Sequence, residues 1–207
     1  MSQLNVAVIG CGSWGVNHAR VYSDLPMVRL AAVSDIDAKR VQKCSRKHSA
    51  NGFTDTLKVL EDPDIDAVSF CTPTCTHSHI AEKALLNDKH VLVEKPMTDT
   101  VDEAQGLIEL AEDVGLNLTV GFVERFNPAV RLSKRLIDDG EIGRVIMAHA
   151  KRVTRRPDRV GDIGVIKDLG IHDIDVITHL MGEPPETVYA TAGSHMHTFE
   201  DYANITL

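Results

Sequence analysis

Val6-Ala7-Val8-Ile9-Gly10-Cys11-Gly12-Ser13-Trp14-Gly15 is the stretch that decides the fold. Four consecutive apolar residues read as a buried strand, and the glycines that follow are spaced G-x-G-x-x-G. Residues Trp14–Tyr22 then open a helical pattern. Glycine clusters alone mark ordinary turns, but a strand before and a helix after give this cluster the context of a dinucleotide loop. Gly10 permits the tight turn, Gly12 lets backbone approach a pyrophosphate, and Gly15 lets helix and strand pack closely. With Ser13 and Trp14 these residues form the expected cofactor loop, at a helix start whose unpaired N–H groups favour an anion.

Outward from this loop, apolar runs alternate with amphipathic stretches of about a dozen residues. Val6–Gly10, Leu30–Ser34, Ala67–Cys71, His90–Glu94 and Asn117–Gly121 read as strands; Asp37–His48, Ile80–Leu86 and Val101–Val114 read as helices. Short, nearly continuous apolar strands separated by helices predict a parallel sheet covered on both faces, hence a doubly wound α/β (Rossmann) domain. Thr100-Val101-Asp102-Glu103 has the form of a capping box. Asp35 ends the second strand, where an acid hydrogen-bonds ribose hydroxyls and repels a 2′-phosphate; NAD is therefore expected over NADP. Two alternatives stay open: Asp35 as a simple helix cap, and Lys39 with Arg40 accommodating NADP.

The pattern changes after Gly121. Asn127-Pro128 reads as an N-cap with proline at the first helical position, and Asp139-Gly140 as that helix's end. Val145–Lys151 reads as a strand and Lys151–Gly164 as a basic irregular stretch. Ile166–Met181 reads as a helix closed by Gly182, and Thr187–Ala192 and Ala203–Leu207 as further strands. The division expected is 1–122 for the dinucleotide-binding domain and 123–207 for a substrate and oligomerisation domain. The latter reads as an incomplete α+β open-faced sheet, truncated at Leu207.

Among 207 residues, 22 Lys plus Arg face 30 Asp plus Glu, a formal net charge of -8. That balance argues against a general nucleic-acid binder. No apolar run approaches the roughly 20 residues that cross a bilayer, and no export signal is evident, so no membrane partner is expected. Four cysteines without C-x-x-C spacing suit a reducing, cytoplasmic location.

Further motifs follow the strand ends: Thr72-Pro73 with His77, then Glu94-Lys95-Pro96, Arg125-Phe126-Asn127-Pro128, and Asp168-x-x-x-His172-Asp173-x-Asp175. With these at matching intervals the chain resembles the glucose-fructose oxidoreductase/inositol dehydrogenase (Gfo/Idh/MocA) family over Asn5 to Leu207. The phrases Gly121–Pro128 and Gly161–Ile166 resemble its branch acting on UDP-N-acetylglucosamine at the 3-position. The resemblance implies a Rossmann domain followed by an open-faced sheet domain, in a protein that is longer and a homo-oligomer when full length. It implies NAD-dependent oxidation of a secondary hydroxyl on a sugar, polyol or nucleotide sugar. Thr72, Pro73, His77, Glu94, Lys95 and Arg125 would line the cofactor. Lys95 would also contact the reacting hydroxyl, and Asn127, Asp168 and His172 would meet the substrate.

The chemistry agrees with those residue types. Lys95 lies past a strand's C-terminal end, where ligands of open α/β sheets bind, and a cation there stabilises a developing alkoxide. Histidine's unperturbed pKa lies near neutrality, so His172 suits a proton acceptor, with Asp168 one helical turn earlier to orient it or share the substrate hydroxyl. The basic stretch reads first as a solvated loop; in its alternative use Arg155 and Arg156 would hold a nucleotide-sugar diphosphate through bidentate forks. Asp168, His172, Asp175 and His179 share a helical face, yet one straight helix cannot wrap four ligands around zinc, so no metal is expected. Two other readings remain: an inositol or polyol dehydrogenase, and a catalytically silent nucleotide-sensing regulator.

Overall fold

Each apolar run of the first half becomes a strand of one parallel sheet. In the computed structural model, which describes residues 3–154 and 163–207, β1 (Leu4–Ile9), β2 (Val28–Ser34), β3 (Asn51–Phe53), β4 (Ala67–Phe70), β5 (His90–Val93) and β6 (Leu118–Val120) lie in the order β3-β2-β1-β4-β5-β6. The chain winds from β1 toward β3, then returns to β4 and winds the other way. The switch point therefore lies between β1 and β4, the place where such sheets bind ligands. Side chains alternate across the strands. Ala7 and Ile9 join a large cluster with Val68, Phe70, Val91 and Val93, while Val8 joins Cys11, Ala19, Leu30, Val33 and Cys44 on the opposite face. The sheet is buried on both sides, as its continuous apolar runs require.

The helices of this unit are α1 (Gly15–Asp24), α2 (Ala38–His48), α3 (Leu57–Leu60), α4 (His77–Leu86) and α5 (Val101–Val114). The capping box at α5 is formed: Thr100 Oγ1 accepts from Glu103 N–H at 3.3 Å, and Glu103 Oε2 accepts from Thr100 N–H at 3.1 Å. Asp37 caps α2, accepting from Lys39 and Arg40. The short β3 and α3 lie outside the sequence expectation. Asn51-Gly52-Phe53 has no apolar alternation and becomes a strand only through pairing with the edge of β2.

The chain divides into the units Met1–Gly121 and Phe122–Leu207. In the second, α6 (Pro128–Asp138) begins at Asn127, whose Oδ1 accepts from Ala129 N–H at 3.0 Å. A wide π-type turn, Ile166–Gly170, leads into α7 (Ile171–Met181), and β7 (Tyr189–Gly193) pairs antiparallel with β8 (Tyr202–Thr206). The strand expected over Val145–Lys151 is not formed. Those residues are irregular and, apart from the half-buried Val145, exposed, with Ile146 at 92% and Met147 at 84%. A strand persists only where its N–H and C=O groups find a partner, and among the described residues none pairs with this segment.

Candidate active site

The residues just past the strand ends stand in a row along the carboxyl edge of the sheet. Asp35 N–H bonds Phe53 O, Gly10 N–H bonds Ser34 O, Cys71 N–H bonds Ile9 O, Glu94 N–H bonds Phe70 O, and Gly121 N–H bonds Val93 O, at 2.7–3.2 Å. Each strand thus props up the first loop residue of its neighbour. This brings Asp35, the glycine loop, the Thr72-Pro73 loop and the Glu94-Lys95 loop to one edge.

Within the glycine loop the three glycines are required for different reasons. Gly10 has φ +91°, and a Cβ there would meet the Cys71 carbonyl at 2.7 Å. A Cβ on Gly15 would stand 1.6 Å from Gly10 O, so helix α1 can start this close to β1 only with glycine. Around Gly12 a Cβ would meet nothing within 4 Å, and its backbone is open to an incoming group. No side chain caps α1, which leaves its first-turn N–H groups for an anion. This cradle fits a dinucleotide pyrophosphate.

Asp35 is buried. Its Oδ2 accepts from Cys11 N–H at 2.7 Å and its Oδ1 from Asp37 N–H at 2.9 Å. It is not the cap of α2, a role taken by Asp37. An ionised carboxylate has about four lone-pair sites, so two remain for ribose hydroxyls. Arg40 Nη1 lies 3.9 Å from Asp35 and its Nε 3.6 Å from Asp37, so the cation near this corner leans on carboxylates.

Lys95 and Thr72 are half-buried and Pro73 is exposed. His77, by contrast, is fully buried: Nδ1 lies 2.9 Å from Pro96 O and Nε2 2.9 Å from Thr72 O. It joins the two loops rather than facing the open edge. Glu94, expected to line the cofactor, has Oε1 3.0 Å from His18 Nε2 and accepts from Lys95 N–H through Oε2 at 3.3 Å. His18 Nδ1 reaches Ser69 Oγ at 2.7 Å. His18 and Ser69 were missed by sequence reasoning. A signal existed: Ser69 is a polar residue in the middle of an apolar central strand, and such a residue must have a partner.

In the second unit, Asp168 is buried within the π-type turn and His172 is half-buried in the first turn of α7. Such turns recur at functional sites because they set side chains off the regular helical pattern. Asp175 accepts from Arg125 Nε at 2.9 and 3.0 Å and from Nη2 at 2.5 Å. Arg125, expected at the cofactor, is thus engaged by a carboxylate, which raises its pKa against the opposing effect of burial. Arg152 makes a similar fork to Asp173 at 2.9–3.2 Å. Asn127 caps α6 and donates to Glu124 Oε2 at 3.2 Å. Arg155 and Arg156 lie outside the described residues.

With this geometry in place, comparison with known proteins is decisive. Residues 4–122 match the oxidoreductase family with an NAD-binding Rossmann fold, and residues 130–207 match the GFO/IDH/MocA C-terminal domain. The chain belongs to the Gfo/Idh/MocA oxidoreductase family. Its first unit is that family's NAD-binding Rossmann domain, and its second carries the small antiparallel sheet of the C-terminal domain.

Among relatives of this Gfo/Idh/MocA chain, the scyllo-inositol 2-dehydrogenase (NAD(+)) of Bacillus subtilis is 36% identical over 188 residues, 87% of this chain and 54% of that one. The UDP-N-acetylglucosamine 3-dehydrogenase of Acidithiobacillus ferrooxidans is 34% identical over 190 residues, 92% of this chain and 58% of that one. A solved structure under that enzyme's name and organism gives a TM-score of 0.88 at 33% identity, covering 99% of this chain and 65% of that chain. The chain spans little more than half the length of these curated relatives. No helix among the described residues is long and apolar enough to cross a membrane.

Proposed function

We propose that this chain carries the NAD-dependent oxidation of a secondary hydroxyl on a sugar, polyol or nucleotide sugar. The observation that carries the reading is the row of loops along one sheet edge, where a cradle suited to a pyrophosphate and a buried ribose-side acid stand beside the Lys95 loop. When bound, NAD supplies the nicotinamide that accepts the hydride. The chain's own residues manage the rest. The Gly10–Gly15 backbone and α1 hold the pyrophosphate, and Asp35 takes the ribose hydroxyls. Lys95 places a positive charge at the reacting oxygen and stabilises developing alkoxide. His172 accepts the hydroxyl proton at a ring nitrogen, and Asp168, one turn before it, orients the imidazole.

The test is Lys95→Ala and His172→Ala in the full-length protein, each with NAD titration and turnover. Turnover should fall roughly 100-fold or more, the usual loss on removing proton-transfer or electrostatic catalysis, while NAD affinity stays nearly intact. Full activity in either variant overturns the assignment.

Within this class, a UDP-linked N-acetylhexosamine oxidised at the 3-hydroxyl is the first substrate to test, supported by the relative of that activity and by the basic stretch containing Arg155 and Arg156. One observation favours the inositol reading instead: the Arg152 fork, the described part of that stretch, is taken by Asp173. Cofactor reduction measured across matched UDP-sugars and free inositols separates the two.

A further inference from the structure

We propose that His18 is a positioning residue for Lys95, acting through the carboxylate of Glu94. The proposal rests on Lys95 being the residue that meets the reacting hydroxyl. His18 sits on α1, one turn past the glycine loop, and spans the switch point of the sheet. Its Nδ1 meets Ser69 Oγ on β4 at 2.7 Å and its Nε2 meets Glu94 Oε1, just past β5, at 3.0 Å. The His18 and Glu94 side chains are 17% and 13% exposed, and Ser69 is completely buried. Ionisable groups this sheltered are held only where each has its partner.

The direction of the chain follows from the chemistry of the groups. An ionised carboxylate accepts only, so opposite an ionised Glu94 the His18 Nε2 is the donor. In the neutral ring Nδ1 is then the acceptor, and the Ser69 hydroxyl donates to it. Serine, histidine and an acid also form hydrolytic triads. Here the hydroxyl is enclosed within a central strand, where no substrate can reach it, so the arrangement orients groups and does not attack.

What it orients is the start of the Lys95 loop. Glu94 Oε2 accepts the N–H of Lys95 itself at 3.3 Å, which folds the backbone at Lys95 onto the carboxylate. On the other side, a Cβ at Gly121 would come within 3.0 Å of Glu94 Oε1. The carboxylate is therefore confined between His18 and the end of β6, and Gly121 leaves it just enough room. Tyr22 and Cys71 also face this chain: each shares a hydrogen bond with Ser69, the Tyr22 ring meets that of His18 edge-on at 6.2 Å, and the Cys71 thiol is raised mainly by burial and further by Glu94. Removing His18 frees the carboxylate to turn, and with it the N–H that sets where the Lys95 side chain begins.

The experiment uses the full-length protein with His18→Leu, His18→Gln and Ser69→Ala. Gln retains a donor able to reach Glu94; Leu does not. Amide hydrogen exchange at Lys95 should quicken about 10-fold or more in His18→Leu and return most of the way in His18→Gln. This readout requires no substrate, so it separates failure of the positioning role from failure of the dehydrogenase reading. In turnover, His18→Leu should lower kcat about 10-fold with KM and NAD affinity within about 3-fold of the parent, again rescued by Gln. Should His18→Leu fail to fold, Ser69→Ala removes the partner of Nδ1, and a smaller rise in Lys95 exchange is expected. Unchanged exchange at Lys95 in whichever of these variants folds overturns the proposal. So does an equal kcat loss in Leu and Gln accompanied by a matching loss of NAD affinity, which would make His18 a support of the cofactor helix only.

Discussion

Asp35 Oδ2 accepts the backbone N–H of Cys11 at 2.7 Å, so the acid at the end of β2 holds the middle of the glycine loop in place. In the proposed function the same carboxylate also takes the ribose hydroxyls, and two substitutions separate these duties. Asp35→Ala removes the loop's acceptor. A hydrogen bond to a charged group contributes about 1.5–3 kcal/mol, so affinity for NAD and NADP should both fall about 10-fold or more. Asp35→Asn can keep an acceptor for Cys11 N–H while losing the charge and the acceptor for Asp37 N–H, so the preference for NAD should narrow while the loop stays formed. Isothermal titration with both cofactors checks this. An unchanged ratio of dissociation constants in Asp35→Asn would deny Asp35 its electrostatic part.

Gly12 and Gly15 should respond oppositely to alanine. Around Gly12 an added Cβ meets nothing within 4 Å, whereas at Gly15 it would lie 1.6 Å from Gly10 O. Gly12→Ala should therefore melt within a few degrees of the parent and bind NAD at least about 10-fold more weakly, because the methyl occupies the pyrophosphate's approach. Gly15→Ala should be destabilised by about 3 kcal/mol or more, at or beyond the upper end of ordinary overpacking, since backbone must move. Thermal melts paired with NAD titrations read both effects.

The first half of the fold was legible because the strands are buried on both faces. Val6–Ile9, Leu30–Val33 and Val91–Val93 are apolar without interruption, and caps such as Thr100 and Asn127 are local signals. β3 was not legible, since three residues with glycine in the centre gain strand character only from pairing with β2. Val145–Lys151 erred the other way: it has strand composition and, among the described residues, no strand to pair with. At the site, the glycines and Asp35 could be placed from spacing, but the Cys11–Asp35 bond could not. His18 was invisible because its contacts to Ser69 and Glu94 lie 51 and 76 residues away. The engagement of Arg125, expected at the cofactor, was not legible because Asp175, 50 residues on, is brought to it only by packing of the second unit.

Alkaline pH should weaken the first unit in two steps. Burial raises the Cys71 thiol and the Tyr22 phenol above their ordinary values. Between the ordinary and raised values, the unfolded chain has lost a proton that the folded chain keeps. Stability is therefore full below the unfolded value and falls as pH rises past it, at up to about 1.4 kcal/mol per pH unit for each group. The decline should begin near pH 8.5–9 from Cys71, with Cys11 adding to it because its contact with Cys44 and its burial raise that thiol too, and steepen near pH 10 from Tyr22. Urea unfolding from pH 8 to 11 should show both, with Cys71→Ala flattening the first step and Tyr22→Phe the second. An identical pH profile in the two variants would mean neither group is responsible.

Arg125 and Arg152 each fork onto a carboxylate of α7, and their surroundings make the two pairs unequal. The Asp175 side chain is 7% exposed and Asp173 is 25% exposed, while Arg125 is 43% and Arg152 35% exposed. Arg125→Met leaves a buried carboxylate without its bidentate partner. For a wholly buried pair such a loss runs to about 3–5 kcal/mol. Because water already reaches Arg125, the cost here should be about 1–3 kcal/mol. Arg152→Met leaves a partly solvated carboxylate and should cost under about 1 kcal/mol, the usual range for exposed pairs. Urea unfolding should rank the variants in that order, with the Arg152 effect shrinking as salt is added and the Arg125 effect shrinking less. The same Arg125→Met variant also decides between the two uses of this residue. A bracing role predicts lowered stability with NAD affinity within about 2-fold of the parent. A cofactor role predicts the reverse: parent-like unfolding and clearly weaker NAD binding.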